Sequence, residues 1–175
     1  EHGTVPTWVG VGGSPNSVVR AARYGFPVVF AIIGGSPARF APLAQLYREA
    51  LAHYEQQPQP LAIHSPGYIA ETDEQAAEEY WPHWSKHNAK IGRERGWGPA
   101  TRAVYDAMCG PGGALFVGSP DTVATKIVET VRTLGLSRFD LKYSLGTLPH
   151  EALMRCIRLY GERVAPLVRE KLVSE

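Results

Sequence analysis

VPTWVGVGGSP, residues 5–15, packs a strand, a turn and a helix start into one short stretch. Val5 to Val11 is rich in β-branched and aromatic residues, which suit a buried strand. Gly12 and Gly13 then free the backbone to turn. Ser14 stands where a helix N-cap belongs and Pro15 where the first helical residue belongs, a pairing that starts helices because proline has no N–H to waste there. The helix so begun runs to Tyr24, turns Val18, Val19 and Ala22 to one face, and stops at Gly25.

The same plan recurs along the chain. PVVFAII, residues 27–33, is a second apolar run, and Gly34-Gly35-Ser36-Pro37 launches a helix carrying Phe40, Leu43, Tyr47, Leu51 and Tyr54 at helical spacing. Pro42 should distort that helix near its start. After the loop QQPQP (56–60), a third strand over Leu61 to Ala70 is expected to be interrupted at Pro66-Gly67 by a bulge or bend. A helix starting near Thr72 has acidic residues in its first turns, where the helix dipole favours them. Residues 85–113 are polar, basic and glycine-rich and read as a long, partly helical, lid-like insertion. Ala114 to Val117 is a short apolar run, and Gly118-Ser119-Pro120 opens a helix with Val123, Ile127, Val131 and Leu134 inward. Phe139 to Leu145 is the last strand, and the terminal helix from Pro149 should bury Leu153, Ile157, Tyr160, Val164 and Leu167. Strands alternating with helices mean βα units and a parallel sheet, an α/β fold.

Composition narrows the function classes. The chain has 175 residues, 44% hydrophobic and 20% charged, with 18 basic against 17 acidic residues. That is enough to build one core, the size of one ordinary domain or of half a large barrel. A formal charge of +1 gives no electrostatic reason to expect nucleic acid or a membrane surface. Cys109 and Cys156 fit neither a disulfide framework nor a zinc pattern, so a reducing cytoplasm is expected. No run approaches the ~18 apolar residues of a spanning helix. His2, His53, His83, His87 and His150 show no metal-ligand spacing, and no metal is expected. Strand-like sequence within a few residues of Glu1, with no methionine at the start, reads as a piece of a longer chain.

The ordered set GVGGSPNSVVRAARYG (10–25), FPVVFAIIGG (26–35), FVGSPDTVATKI (116–127) and LYGERVAPLVRE (159–170) resembles the C-terminal half of bacterial-luciferase-like flavin monooxygenases. The resemblance runs over essentially all of the chain. It implies a single half-barrel domain over residues 1–175, supplying strands five to eight of a TIM (β/α)8 barrel, with Ala114 to Val117 outside the barrel. It implies an enzyme in the full-length parent, using reduced FMN supplied by a flavin reductase, and O2, on a small organic substrate. The deazaflavin F420 with hydride transfer is the alternative, and the half-barrel alone is expected to be inactive. A half-barrel leaves two sheet edges and an open apolar face, which favour a homo-oligomer.

Site residues follow from both lines of reading. A helix N-terminus after two glycines exposes N–H groups and a positive dipole end, so Gly12, Gly13, Ser14 and Ser17 are candidates for a phosphate, where the resemblance puts the FMN phosphate. The plain alternative is a capped helix and a tight turn. The resemblance sets the strand end Ala31 and Ile32 against the isoalloxazine ring, and makes Trp84 in WPHW (81–84) a flavin neighbour, against ordinary helix packing. His64, with Ser65 and Tyr68 near it, lies toward a strand end where barrel chemistry occurs and is the candidate acid or base. Lys142, Tyr143 and Ser144 occupy a similar place on the last strand. No P-loop, zinc motif or Ser-His-Asp order is present. GVGGSP lacks the third glycine and the later acidic residue of a dinucleotide fingerprint.

Overall fold

The computed structural model describes Gly3 and residues 5–174; His2 lies outside the described residues. The expected alternation is present: β1 (Val9–Val11), α1 (Pro15–Arg23), β2 (Val28–Ala31), a 3₁₀ turn (Pro37–Phe40), α2 (Ala41–His53), β3 (Leu61–Ile69), α3 (Asp73–Arg95) and α4 (Arg102–Cys109). There follow β4 (Phe116–Gly118), α5 (Pro120–Leu134), β5 (Arg138–Lys142), α6 (His150–Leu159), a π-helical turn (Tyr160–Val164) and α7 (Ala165–Val173).

All strand pairs are parallel. β1 pairs with β2, β2 with β3, and β3 with β5, so the main sheet runs β1-β2-β3-β5 with edges at β1 and β5. Four consecutive βα strands in sequential order are the arrangement of half a (β/α)8 barrel, with the helices on the convex side. β4 stands apart and pairs only with Gly67–Ile69, beyond the part of β3 that carries β5.

β3 corrects one expectation, because Pro66-Gly67 does not interrupt it. The strand runs unbroken from Leu61 to Ile69, and Pro66-Gly67 is where it changes partner from β5 to β4. Glycine is required here for space, since a Cβ on Gly67 would lie 2.3 Å from the Phe116 carbonyl oxygen and 2.6 Å from the Leu141 side chain.

Strand periodicity sorts the side chains. Val11, Val28, Phe30, Ile32 and Ile63 point to the helices and are fully or almost fully buried. Trp8, Ala31, His64, Arg138 and Asp140 are less buried, and the Arg138 guanidinium lies 5.6 Å from the Trp8 ring centre across the sheet. The open face is therefore mixed and partly charged, where an apolar one was expected.

Two helices depart from regularity at prolines. Pro42 sits in the first turn of α2, and the turn before it is 3₁₀, the local distortion that was anticipated. Near the C-terminus, Pro166 has no N–H for the carbonyl one turn back, and the preceding turn widens to π geometry at Tyr160–Val164. The terminal helix accordingly buries Cys156, Leu159 and Val164, while Ile157, expected inward, is 39% exposed.

Candidate active site

The C-terminal ends of the parallel strands are where an α/β barrel places its chemistry. At the end of β1, Ser14 caps α1: its side chain accepts from the Ser17 N–H at 3.4 Å, and Pro15 occupies the first turn. Gly12, Gly13 and Ser14 are exposed and Ser17 is half-buried. Among the described residues, no atom beyond the chain neighbours lies within 4 Å of where a Cβ would stand on Gly12 or Gly13, and no acidic residue occupies the first turn of α1. The turn is an open cradle at a helix N-terminus, with the dipole's positive end unopposed.

The other two glycine-serine turns differ. Ser36 makes no capping hydrogen bond, and the helix after it begins as a 3₁₀ turn of only four residues. At the third, Ser119 caps α5 and the Asp73 carboxylate closes the turn from outside, accepting from the Ser119 N–H at 2.6 Å and the Thr122 hydroxyl at 2.8 Å. Burial raises the pKa of Asp73, but these donors outweigh it and hold the carboxyl below its ordinary value. A Cβ on Gly118 would lie 2.7 Å from that carboxylate.

Ala31 is partly exposed and shares a layer with His64 and Asp140, aligned across β2, β3 and β5. Ile32 is corrected: it has 0% exposure inside the core because successive strand residues face opposite ways, so its side chain does not reach the concave face. Ser65 is likewise buried, and its hydroxyl is spent on the Ile32 carbonyl at 3.0 Å. Tyr68 is buried and held by Glu79 at 2.6 Å and by Arg155 at 2.9 Å, with Glu79 and Arg155 themselves paired. Both hydroxyls are thus engaged in structural hydrogen bonds, while His64 is partly exposed.

Trp84 is 4% exposed, stacked on Trp81 with ring centres 5.9 Å apart and tilted against Tyr105 at 5.2 Å. It therefore packs as an ordinary helix tryptophan, yet one edge lines two adjoining cavities at the strand ends. The larger, about 320 Å³, lies among Ile33, Trp84, Trp97, Pro99, Val104 and Met108, with Asn88 as its one polar side chain. The smaller, about 140 Å³, adds Pro66, His87 and Lys142. Trp97, Val104 and Ile33 are 44%, 45% and 47% exposed, so much of this apolar surface faces outward. Residues 85–95 of the expected insertion are the last turns of α3, Gly96 ends that helix in the left-handed conformation, and α4 follows.

His87 was missed as a site residue. Burial, helped by Lys142 and Lys90, lowers its pKa, so the imidazole facing the smaller cavity is neutral near pH 7. Its detectable signal was position, three residues beyond Trp84 on one helix face. Lys142 also reaches this cavity, whereas Tyr143 and Ser144 follow the end of β5. Among the described residues no cluster of three metal-binding side chains occurs, and no helix is long and apolar enough to cross a membrane.

Solved structures share this arrangement. The monooxygenase RslO1 from Streptomyces bottropensis superposes with a TM-score of 0.72 at 23% identity, over 91% of this chain and 47% of that one. The oxygenating constituent of 3,6-diketocamphane monooxygenase from Pseudomonas putida, a type II Baeyer-Villiger enzyme solved with FMN, gives 0.65 at 20% identity over 92% and 48%. Coenzyme F420-dependent tetrahydromethanopterin reductase from Methanopyrus kandleri gives 0.63 at 17% identity over 93% and 50%. This chain thus spans about half the length of these relatives. Among curated protein sequences none matches. The profile of the luciferase-like monooxygenases matches residues 1–138. The chain belongs to the luciferase-like monooxygenase family, and its fold is that of the C-terminal part of a TIM barrel of that family.

Proposed function

We propose that this chain forms the C-terminal wall of an FMN-dependent monooxygenase acting on a small apolar organic substrate. The observation that carries the reading is the open Gly12–Ser17 turn after β1, at the same end of the sheet as an apolar cavity that Ile33 and Gly34 line just after the neighbouring β2. The residues present fit a flavin mononucleotide. Gly12 and Gly13 leave room for a phosphate, and the start of α1 offers the Asn16 N–H with the Ser14 and Ser17 hydroxyls, the Ser17 and Val18 N–H groups being bonded to Ser14. Ala31 would let a ring lie close to the sheet. Reduced FMN, supplied by a partner reductase, would bring the electrons for oxygen chemistry.

The chain's own residues would bind, orient and exclude water. The Ser14–Ser17 turn would anchor the phosphate, Trp84 and Trp97 would shield the reacting region, and the 96–101 segment would act as the lid. His64 and the neutral imidazole of His87 are the groups able to hold or move a proton there. Two free thiols, one buried, agree with a reducing cytoplasm.

F420 is the second reading, favoured by the fold shared with an F420-dependent reductase. Titration separates the two: saturable binding of FMN but not F420 supports the proposal, and the reverse result replaces it. The edges at β1 and β5 and the Trp8–Arg138–Asp140 face also imply association. We expect the 175-residue chain alone to lack activity and to sediment as a homodimer or larger. A stable monomer at micromolar concentration would contradict the association.

A further inference from the structure

Lys142 ends β5, on the strand face it shares with Arg138 and Asp140. Those two pair with each other at 2.8 Å, and Lys142, one step further along that face, has no carboxylate partner among the described residues. It lines the smaller cavity at the strand ends. The last turns of α3 supply the other wall. Trp84, His87, Asn88, Ile91 and Arg95 recur there at helical spacing, so they share one face, and all five line the cavity. Arg95 has its guanidinium 5.6 Å from the Trp97 ring centre and likewise lacks an ion pair among the described residues. Burial, then Lys142 and Lys90, lower the pKa of the His87 imidazole, which marks the positive surroundings from inside.

This cavity shares Ile33, Trp84, Asn88 and Trp97 with the larger apolar one, and no acidic side chain lines either. The joined space therefore has an apolar end at Val104 and Met108 and a cationic end at Lys142 and Arg95. Cations gathered without a counterion between low-dielectric walls focus a positive potential, and each can donate a charge-assisted hydrogen bond to an oxyanion.

We propose that the joined cavities take an amphiphilic oxyanion, an organic carboxylate or sulfonate whose chain lies between Trp84, Trp97 and Met108 and whose head group is held by Lys142 and Arg95. That this occupant is the substrate rests on the function proposed above; that the site selects an apolar chain with an anionic head does not. Lys142, half-buried on a strand, carries most of the selection, because Arg95 is exposed and its charge is screened by solvent. The flavin phosphate is a different anion. Its turn follows β1, three strand spacings from β5 and thus about 14 Å away along the sheet.

Calorimetric titration of octanoate and of 1-octanol into the full-length barrel, without flavin, tests the proposal, since the two probes share a chain and differ in the head. Octanoate should bind at least about fivefold more tightly. Raising the salt from about 0.05 M to about 0.5 M should weaken octanoate alone. Lys142→Gln should weaken octanoate at least about threefold and leave 1-octanol unchanged, with a smaller loss in Arg95→Gln. Equal affinity for the two probes, binding of neither, or an octanoate affinity indifferent to salt or to Lys142→Gln would overturn the proposal. If Lys142→Gln does not fold, the salt dependence in the unmodified protein decides. A Lys142→Gln barrel that loses FMN affinity as much as octanoate affinity would assign these cations to the cofactor's phosphate, and the proposal would fail. Octanoate binding in a barrel that takes neither FMN nor F420 would remove the flavin reading and leave this site standing.

Discussion

Helices α1 and α5 begin with the same grammar, a strand, a glycine, a capping serine and a proline, and meet opposite surroundings. At α5 the chain supplies its own anion: Asp73 closes the N-terminus through the Ser119 N–H and the Thr122 hydroxyl. At α1 no described carboxylate takes that place, the first turn carries no acidic residue, and the space beside Gly12 and Gly13 is open among the described residues. A helix N-terminus attracts negative charge wherever it is. The fold satisfies that demand internally at α5 and leaves it open at α1, the end proposed above to take a phosphate.

The closed copy can be broken at its foundation. Gly67→Ala forces a methyl into the Phe116 carbonyl, pushing β4 and the start of α5 off β3. Overpacking of this kind should cost about 3 kcal/mol, read as a fall in the denaturant midpoint. An unchanged midpoint would show that β4 is loosely held.

Next in size is the contrast between the two caps. Ser14→Ala with Ser17→Ala should weaken FMN binding by the full-length barrel at least tenfold, about 1.4 kcal/mol. Ser119→Ala should cost about 1 kcal/mol of stability and leave FMN affinity unchanged. Equal losses of affinity in both would erase the distinction drawn here.

Asp73→Asn should lower stability by about 1 kcal/mol at neutral pH, as loss of a charged helix-terminal acceptor does. Because the folded-state pKa of Asp73 is depressed, its contribution is present above the unfolded value and lost as the pH falls through the folded one. The gap between Asp73→Asn and the unmodified protein should therefore close below about pH 4. A gap constant down to pH 2 would mean that the carboxylate's charge is irrelevant.

The smallest effect sharpens the comparison most. Asn16→Asp places an acid in the first turn of α1, imitating the closed copy. Stability should rise by about 0.5 kcal/mol while FMN affinity falls. A rise in both would contradict a phosphate at this turn.

Much of this was legible in the sequence, because periodicity and capping are local. The βα order, the Ser14 and Ser119 caps and the glycine at the end of α5 follow from short-range rules, while the separate place of β4 was implied by the family resemblance. Residues whose role depends on remote partners were not legible. Nothing local pairs Asp73 with a turn 46 residues away, or tells that Gly67 must admit the Phe116 carbonyl. Lys126, buried on α5, left a partial trace, a charge inside an apolar stripe, but the four carbonyls to which its Nζ donates come from the end of α4 and the loop to β4. Ile32 was misread because only its neighbour Ala31 lies on the open face and strand residues alternate.

The central claim is that the open turn at α1 holds a flavin phosphate. It is tested most directly by titrating FMN, and F420 in parallel, into the full-length barrel and into its Ser14→Ala, Ser17→Ala variant while following cofactor fluorescence. The account predicts a saturable change with FMN that shifts at least tenfold to weaker binding in the variant. No saturable change with either cofactor, or unchanged affinity in the variant, would contradict it.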